Sequence, residues 1–201
     1  MTFFRCIILS AVACIAIVAS CSREQEATGV GPSEDKSVFE EQKALVAKDP
    51  KNEDAWYHIA DLYERAGLYA EEVDALNKVL EINPAHRYAY LKLGTAYSRL
   101  DRHEDAIKVY LKAKKYYAAY APLHNNLGVA YGRTGKVDQE IRELKKAISL
   151  RPSYATARYN LGMAYLKKGD RKAALAVHRD LERYDTTAAK SLKQEIDKKG
   201  K

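Results

Sequence analysis

The chain has 201 residues, 47% of them apolar and 30% charged, a composition that is globular rather than disordered or collagen-like. Its 10 Gly and 5 Pro argue against a loop-rich all-β fold, and its formal charge is +7. All three cysteines (Cys6, Cys14, Cys21) lie within the first 21 residues, which excludes a disulfide framework and a cysteine-based zinc site in the rest.

Arg5 and the amino terminus form a short positive region, residues 6–19 are almost wholly apolar, and Ser22-Arg23-Glu24 ends the run. That run is too short for a hydrocarbon core, which needs about 20 residues, and it suits the apolar region of a signal peptide. The tetrad Val18-Ala19-Ser20-Cys21 resembles the bacterial lipobox. The resemblance implies that residues 1–20 are a lipoprotein signal peptide and that the Cys21 thiol carries a thioether-linked diacylglycerol. One acyl chain binds a membrane marginally, whereas two or more anchor stably. An uncleaved signal anchor is the alternative. Ser22 rather than Asp after the cysteine implies, by the enteric sorting rule, an outer-membrane destination facing the periplasm. Residues 21–37 have no apolar periodicity and hold Gly29, Gly31 and Pro32, so they read as a lipidated flexible tether.

From residue 38 onward the chain repeats. Tyr63, Tyr97, Tyr131 and Tyr165 recur every 34 residues, as do Gly94, Gly128 and Gly162 with Ala60 in the first copy. Leu93, Leu127 and Leu161 precede the glycines, and Pro50, Pro84 and Pro152 mark copy boundaries. The slots Trp56-Ile59-Ala60-Tyr63, Tyr90-Leu93-Gly94-Tyr97, His124-Leu127-Gly128-Tyr131 and Arg158-Leu161-Gly162-Tyr165 resemble the tetratricopeptide pattern. The resemblance implies an all-α fold, a TPR superhelix (α-solenoid of antiparallel helix pairs) with capping helices at both ends. Four repeats are expected at 53–86, 87–120, 121–154 and 155–188. An N-terminal capping helix is expected within 38–52 and a C-terminal one with a tail over 187–201, ten helices in all. Gly67, Gly135 and Gly169, with Asp101 in the second copy, stand where a tight turn between paired helices needs positive φ.

The five histidines fall at different phases of the repeat and make no metal-ligand spacing, and there is no nucleophile elbow or phosphate-binding glycine loop. No enzymatic activity, metal or cofactor is expected, and His178 reads as a core histidine. The resemblance instead points to a concave groove lined by the first helix of each pair. Mapped onto this chain, the lining is Asp54, Tyr57, Asp61 and Glu64, then Tyr88, Leu91, Thr95 and Ser98. It continues with Asn125, Val129 and Gly132, then Thr156, Tyr159, Met163 and Leu166. Such a groove takes a protein or peptide client with tyrosines as anchors; the alternative for each tyrosine is packing between repeats. Chaperone-binding members clamp a terminal carboxylate where this chain has Tyr57 and Asp61, which excludes that chemistry there. Arg65, Arg99, Arg133 and Lys167 end successive first helices, where a cation gains ~0.3–1 kcal/mol from the helix dipole.

Charge is unevenly distributed. Residues 22–86 carry 7 basic and 15 acidic side chains, a net of −8, whereas residues 87–201 carry 26 and 12, a net of +14. Lys145, Lys146, Lys167 and Lys168 are read as a basic face toward an anionic envelope surface, or as a solubilising face. Export argues against nucleic acid. The two resemblances together imply a scaffold or adaptor like the lipoproteins that pilot a secretin or gather wall hydrolases. A soluble or inner-membrane-tethered co-chaperone-like module is the alternative, and the pattern fixes no oligomeric state.

Overall fold

The computed structural model describes residues 33–198. The signal-peptide reading of 1–20, the lipidation site Cys21 and the tether as far as residue 32 lie outside the described residues. Among the described residues there are ten helices and no strand. They are α1 (Ser33–Lys48), α2 (Glu53–Ala66), α3 (Tyr69–Ile82), α4 (Arg87–Arg99) and α5 (His103–Lys114). The second half holds α6 (Ala121–Arg133), α7 (Val137–Leu150), α8 (Ala155–Lys168), α9 (Arg171–Leu181) and α10 (Thr186–Lys198).

The first cap is longer than expected. α1 begins at Ser33, inside the stretch read as tether. Two contacts hold its first turns against the first repeat. Asp35 pairs with Arg65 at 2.9 Å, and the Phe39 ring meets Tyr63 edge-on at 5.2 Å.

Helix boundaries follow local chemistry. Asn52, His86 and Asp170 each accept a hydrogen bond from the backbone N–H three residues on, which satisfies an otherwise orphaned donor in the first turn. The turns inside the pairs have φ of 73° at Gly67, 75° at Gly135, 84° at Gly169 and 59° at Asp101. Each pair is therefore reversed by one left-handed residue, as the spacing predicts.

Each helix packs on its neighbours in sequence, and α4, α6 and α8 also touch in turn, which gives the first helices of repeats 2 to 4 a common side. A continuous core runs from Phe39 through Leu62, Leu76, Tyr90 and Tyr110 to Leu127, and a second closes the C-terminal end around Leu181, Leu192 and Ile196. The conserved-phase aromatic slot has a second use. Trp56 Nε1 donates to Pro50 O at 3.1 Å, Tyr90 OH to Pro84 O at 3.0 Å, and His124 Nε2 lies 2.9 Å from Ala118 O. In each case a ring ties the start of a repeat to the carbonyl six residues earlier. The fourth copy breaks the series: Arg158 is buried, donates to Asp180 at 2.7 Å, and lies 4.0 Å above the Tyr184 ring. Among the described residues no helix is long and apolar enough to cross a membrane.

Candidate functional site: the concave groove

At the acidic end two of the carboxylates, Asp61 and Glu64, are held by a cation of the chain itself. Asp54 is exposed, and Tyr57 is half-buried and stacked on His86 with ring centroids 4.8 Å apart. Lys92 of α4 lies 2.6 Å from Asp61 and also pairs with Glu64, so α2 and α4 share one cation between two carboxylates. Those bonds raise the Lys92 ammonium above its ordinary value in spite of burial. Behind them Glu72 of α3 is only 2% exposed. Burial, with Glu64 and Asp61 nearby, pushes its carboxyl up to about 7, against the pull of Lys92 and Arg99.

The middle is more open. Tyr88 is 52% exposed beneath the Arg87 guanidinium, Leu91 is half-buried, and Val129 faces solvent. Thr95 Oγ1 donates to Leu91 O at 2.9 Å and lies 3.3 Å from the Tyr110 hydroxyl. Tyr110 comes from α5 behind, and its ring crosses the space that a side chain at Gly94 would fill: a Cβ there would stand 2.3 Å from the ring. Burial pushes this phenol up to about 12. Its hydroxyl reaches a cavity of about 500 Å³ lined by Thr95, Ser98 and Arg99 on α4, Asp101 and His103 at the turn, and Asn126, Val129 and Arg133 on α6.

Farther along, Asn125 departs from the expected lining. It is buried, accepting from Asn160 at 3.0 Å and donating to Asn126 at 3.1 Å, so its amide joins α6 to α8 and is not offered to a ligand. Met163 and Val129 border a second depression of about 370 Å³ that also holds Gly132, Arg133, Glu140, Asn160 and Lys167. Tyr159 is half-buried beside Thr156, with Asp185, Ala188 and Ser191 at the start of α10. The basic quartet does not form one face. Lys145 and Lys146 are exposed on α7, whereas Lys167 pairs with Glu140 at 3.0 Å in the groove and Lys168 with Asp138 at 2.8 Å. Ion pairs across repeats separate them, which helix periodicity does not encode. His178 is half-buried, with Nε2 3.6 Å from Glu182 and Nδ1 without a hydrogen-bond partner.

Three groove residues escape a reading based on first helices alone, because Glu72, Tyr110 and Glu140 belong to second helices. The signal for two of them was in the repeat: one slot reads Glu72, Ala106, Glu140, Ala174, a carboxylate in every other copy where the pattern asks for alanine. Among the described residues no cluster of metal-ligating side chains occurs.

The description "Tetratricopeptide repeat" matches residues 53–86, 88–120 and 155–185, and "TPR repeat" matches 134–169, half a repeat out of phase. Together they cover more than half of the sequence. The chain belongs to the tetratricopeptide-repeat family. Members are generally non-catalytic protein-interaction modules. Among solved structures it is similar to MamA, with a TM-score of 0.70 and 26% identity over 76% of this chain and 89% of that one. It is also similar to YrrB, described as a TPR protein with an unusual peptide-binding site (TM-score 0.70, 20% identity, 80% of this chain and 84% of that one). PilW, described as a widely conserved type IV pilus biogenesis factor, is a third (0.68, 20%, 79% and 74%). At their identity the last two likenesses concern the fold alone. No curated sequence matches the chain.

Proposed function

We propose that this repeat protein is a non-enzymatic scaffold of the bacterial envelope, anchored by a lipid on Cys21, which assembles or pilots an envelope complex by holding a partner segment in its concave groove. The observation that carries the reading is the open middle of the groove. There Val129 is exposed at a cavity that Thr95, Ser98 and Arg99 of α4 also line, and Tyr88 is exposed near the start of that helix, while Asp61 and Glu64 at the acidic end are paired with Lys92 within the chain. Exposed aromatic rings bury large area at low entropic loss, which suits recognition rather than reaction. The lipobox-like tetrad supports the anchor and, with it, an envelope setting.

The test has two arms. Fatty-acid labelling of wild type and Cys21→Ala should show label and processing lost in the variant, and unchanged processing would reject the anchor. Affinity capture from envelope extracts, followed by binding of the captured client to Tyr57→Ala, Tyr88→Ala and Tyr159→Ala, should show weakening by about 1–3 kcal/mol per anchor. The largest loss is expected at Tyr88, because Tyr57 and Tyr159 already have ring or helix neighbours. Full client binding by all three variants would move the site off the groove.

A further inference from the structure

The two groove depressions are one site repeated a register apart. Thr95, Ser98, Arg99, Asn126, Val129 and Arg133 of the first correspond, 34 residues on, to Val129, Gly132, Arg133, Asn160, Met163 and Lys167 of the second. The second is already occupied from within. The carboxylate of buried Glu140 lies against the Gly132 backbone, where a Cβ would meet it at 2.3 Å, and it accepts from Lys167 at 3.0 Å. The register before both repeats this theme, with Glu72 buried behind Asp61, Glu64 and Lys92. The middle register alone has alanine at that slot, Ala106, and so lacks an internal carboxylate.

Its cations are correspondingly free. Of the four at the ends of the first helices, Arg65 pairs with Asp35 and Lys167 with Glu140. Arg99 and Arg133 make no ion pair within 4.0 Å among the described residues, and Arg99 senses Glu72 only at longer range. Both line the same cavity, with the Tyr110 hydroxyl at its floor, the Asn126 amide at its side and His103, whose Nδ1 has no hydrogen-bond partner. Asp101 at the turn is the one acid on the rim, and it already faces His103 Nε2 at 2.9 Å.

We infer that the depression between repeats 2 and 3 receives a carboxylate side chain from an acidic segment of a partner protein, held by Arg99 and Arg133. It takes the place that Glu72 and Glu140 fill in the flanking registers. The inference rests on the groove reading above and names the chemistry of its client. A carboxylate is the matched occupant because the chain itself uses carboxylates at both equivalent positions, and a guanidinium gives it two parallel N–H donors.

Fluorescence anisotropy on the full-length chain tests this, with a fluorescein-labelled, Glu-rich peptide blocked at both ends and its Gln twin as probes. The Glu peptide should bind about tenfold or more tightly than the Gln peptide. Arg99→Gln with Arg133→Gln should erase that difference, while Lys145→Gln with Lys146→Gln, an equal charge change outside the groove, should preserve it. Ser98→Gly with Ala106→Glu, which copies the Gly132–Glu140 arrangement, should block the site from within. Should that variant misfold by circular dichroism, the arginine pair still decides. Equal affinity for the two peptides, or equal loss in the Lys145/Lys146 variant, overturns the inference. So does preference for a Gln peptide with a free C-terminus, which would make the occupant a terminal carboxylate. If Tyr88→Ala weakens both peptides while the arginine pair changes nothing, the groove stands and the carboxylate receptor falls. If the Glu peptide ignores both Tyr88 and the arginines, both readings fall.

Discussion

Repeats 1 and 3 differ from repeats 2 and 4 in where they put a polar group. In the odd copies the second helix carries a buried glutamate (Glu72, Glu140) and, four residues on, a fully buried leucine (Leu76, Leu144). In the even copies the same two slots hold alanine (Ala106, Ala174) and a polar ring (Tyr110, His178). The odd second helices run 14 residues and end before proline, at Asn83-Pro84 and Arg151-Pro152. The even ones run 12 and 11 residues and lack it. One fold thus tolerates a polar group at either of two adjacent interior slots, provided that the first helix opposite leaves room. Gly132 leaves it for Glu140, and Gly94 leaves it for Tyr110. Glu140 thus enters the depression between repeats 3 and 4 from behind, whereas Ala106 leaves the one between repeats 2 and 3 open.

The sharpest way to break this comparison is to fill the room. An alanine at Gly94 would place its Cβ 2.3 Å from the Tyr110 ring, which is 2% exposed and stiff. Gly94→Ala should therefore lower stability by about 2–3 kcal/mol, a fall of about 4–10 °C in melting temperature. Gly128→Ala meets Leu144 at 2.9 Å and a backbone oxygen at 3.2 Å and should lose less. Gly162→Ala meets Leu192 alone, its δ-methyls at 2.4 and 2.8 Å and its γ-carbon at 3.2 Å, with no backbone atom among the near contacts. There the better helix propensity of alanine, about 1 kcal/mol, offsets most of the clash. Melting curves in any other order would show that the small slots are not set by the ring or chain behind them.

The architecture was legible in the sequence because a 34-residue period is self-confirming: each copy repeats the same slots, and the positive-φ turns at Gly67, Asp101, Gly135 and Gly169 fall where spacing puts them. The cap was less so, since the early start of α1 depends on Asp35 finding Arg65, a contact between segments thirty residues apart in sequence. Of the proposed lining, Tyr88 and Val129 are exposed, as helix phase suggests. Asn125 is not, because its burial comes from an amide partner at Asn160 in the next repeat. The basic quartet failed as a single surface for the same reason: phase places Lys167 and Lys168 on a helix, but Glu140 and Asp138 of the preceding repeat decide whether those charges are free.

Two glutamates sharpen the comparison through pH, with opposite signs. Glu72 has its folded value raised from 4.5 to about 7, so between those pH values the folded chain keeps a proton that the unfolded chain has lost. Its contribution to stability therefore declines as pH rises from about 4.5 to about 7 and is level above. Glu72→Gln should stabilise the protein at pH 8 by about 1 kcal/mol or more, and by less at pH 5. Glu143 lies in α7 beside Glu140. Burial pushes its carboxyl up, but bonds with His124 at 2.5 Å and Lys114 at 2.7 Å outweigh that and hold it below 4.5. Its stabilisation is present above the unfolded value and is lost as pH falls through the folded one. Glu143→Gln should lose about 1–2 kcal/mol at pH 7, with the gap closing below pH 4. Denaturant titrations of both variants across pH 4 to 8 check the signs. Parallel curves would mean that the bonds of Glu143 to His124 and Lys114 do not set it apart from Glu72.

The smallest effect concerns the turns, where repeat 2 stands apart from the other three. Gly67, Gly135 and Gly169 adopt φ of 73°, 75° and 84°, and a Cβ added at any of them would meet nothing within 4 Å. Space is free, so any penalty for alanine there is backbone strain, and Gly135→Ala should lose about 1 kcal/mol. Asp101 adopts φ 59° with a side chain, and it offsets part of that strain through the 2.9 Å contact with His103 Nε2. Asp101→Gly removes the strain and the contact together, while it adds freedom to the unfolded chain. The net change should stay within about 0.5 kcal/mol. Asp101→Ala keeps the strain and loses the contact, so it should lose about as much as Gly135→Ala. Equilibrium unfolding of the three variants reads the difference directly. An Asp101→Ala protein as stable as wild type would mean that the backbone at this turn relaxes out of the left-handed region. The second repeat would then reverse by a different turn from its neighbours.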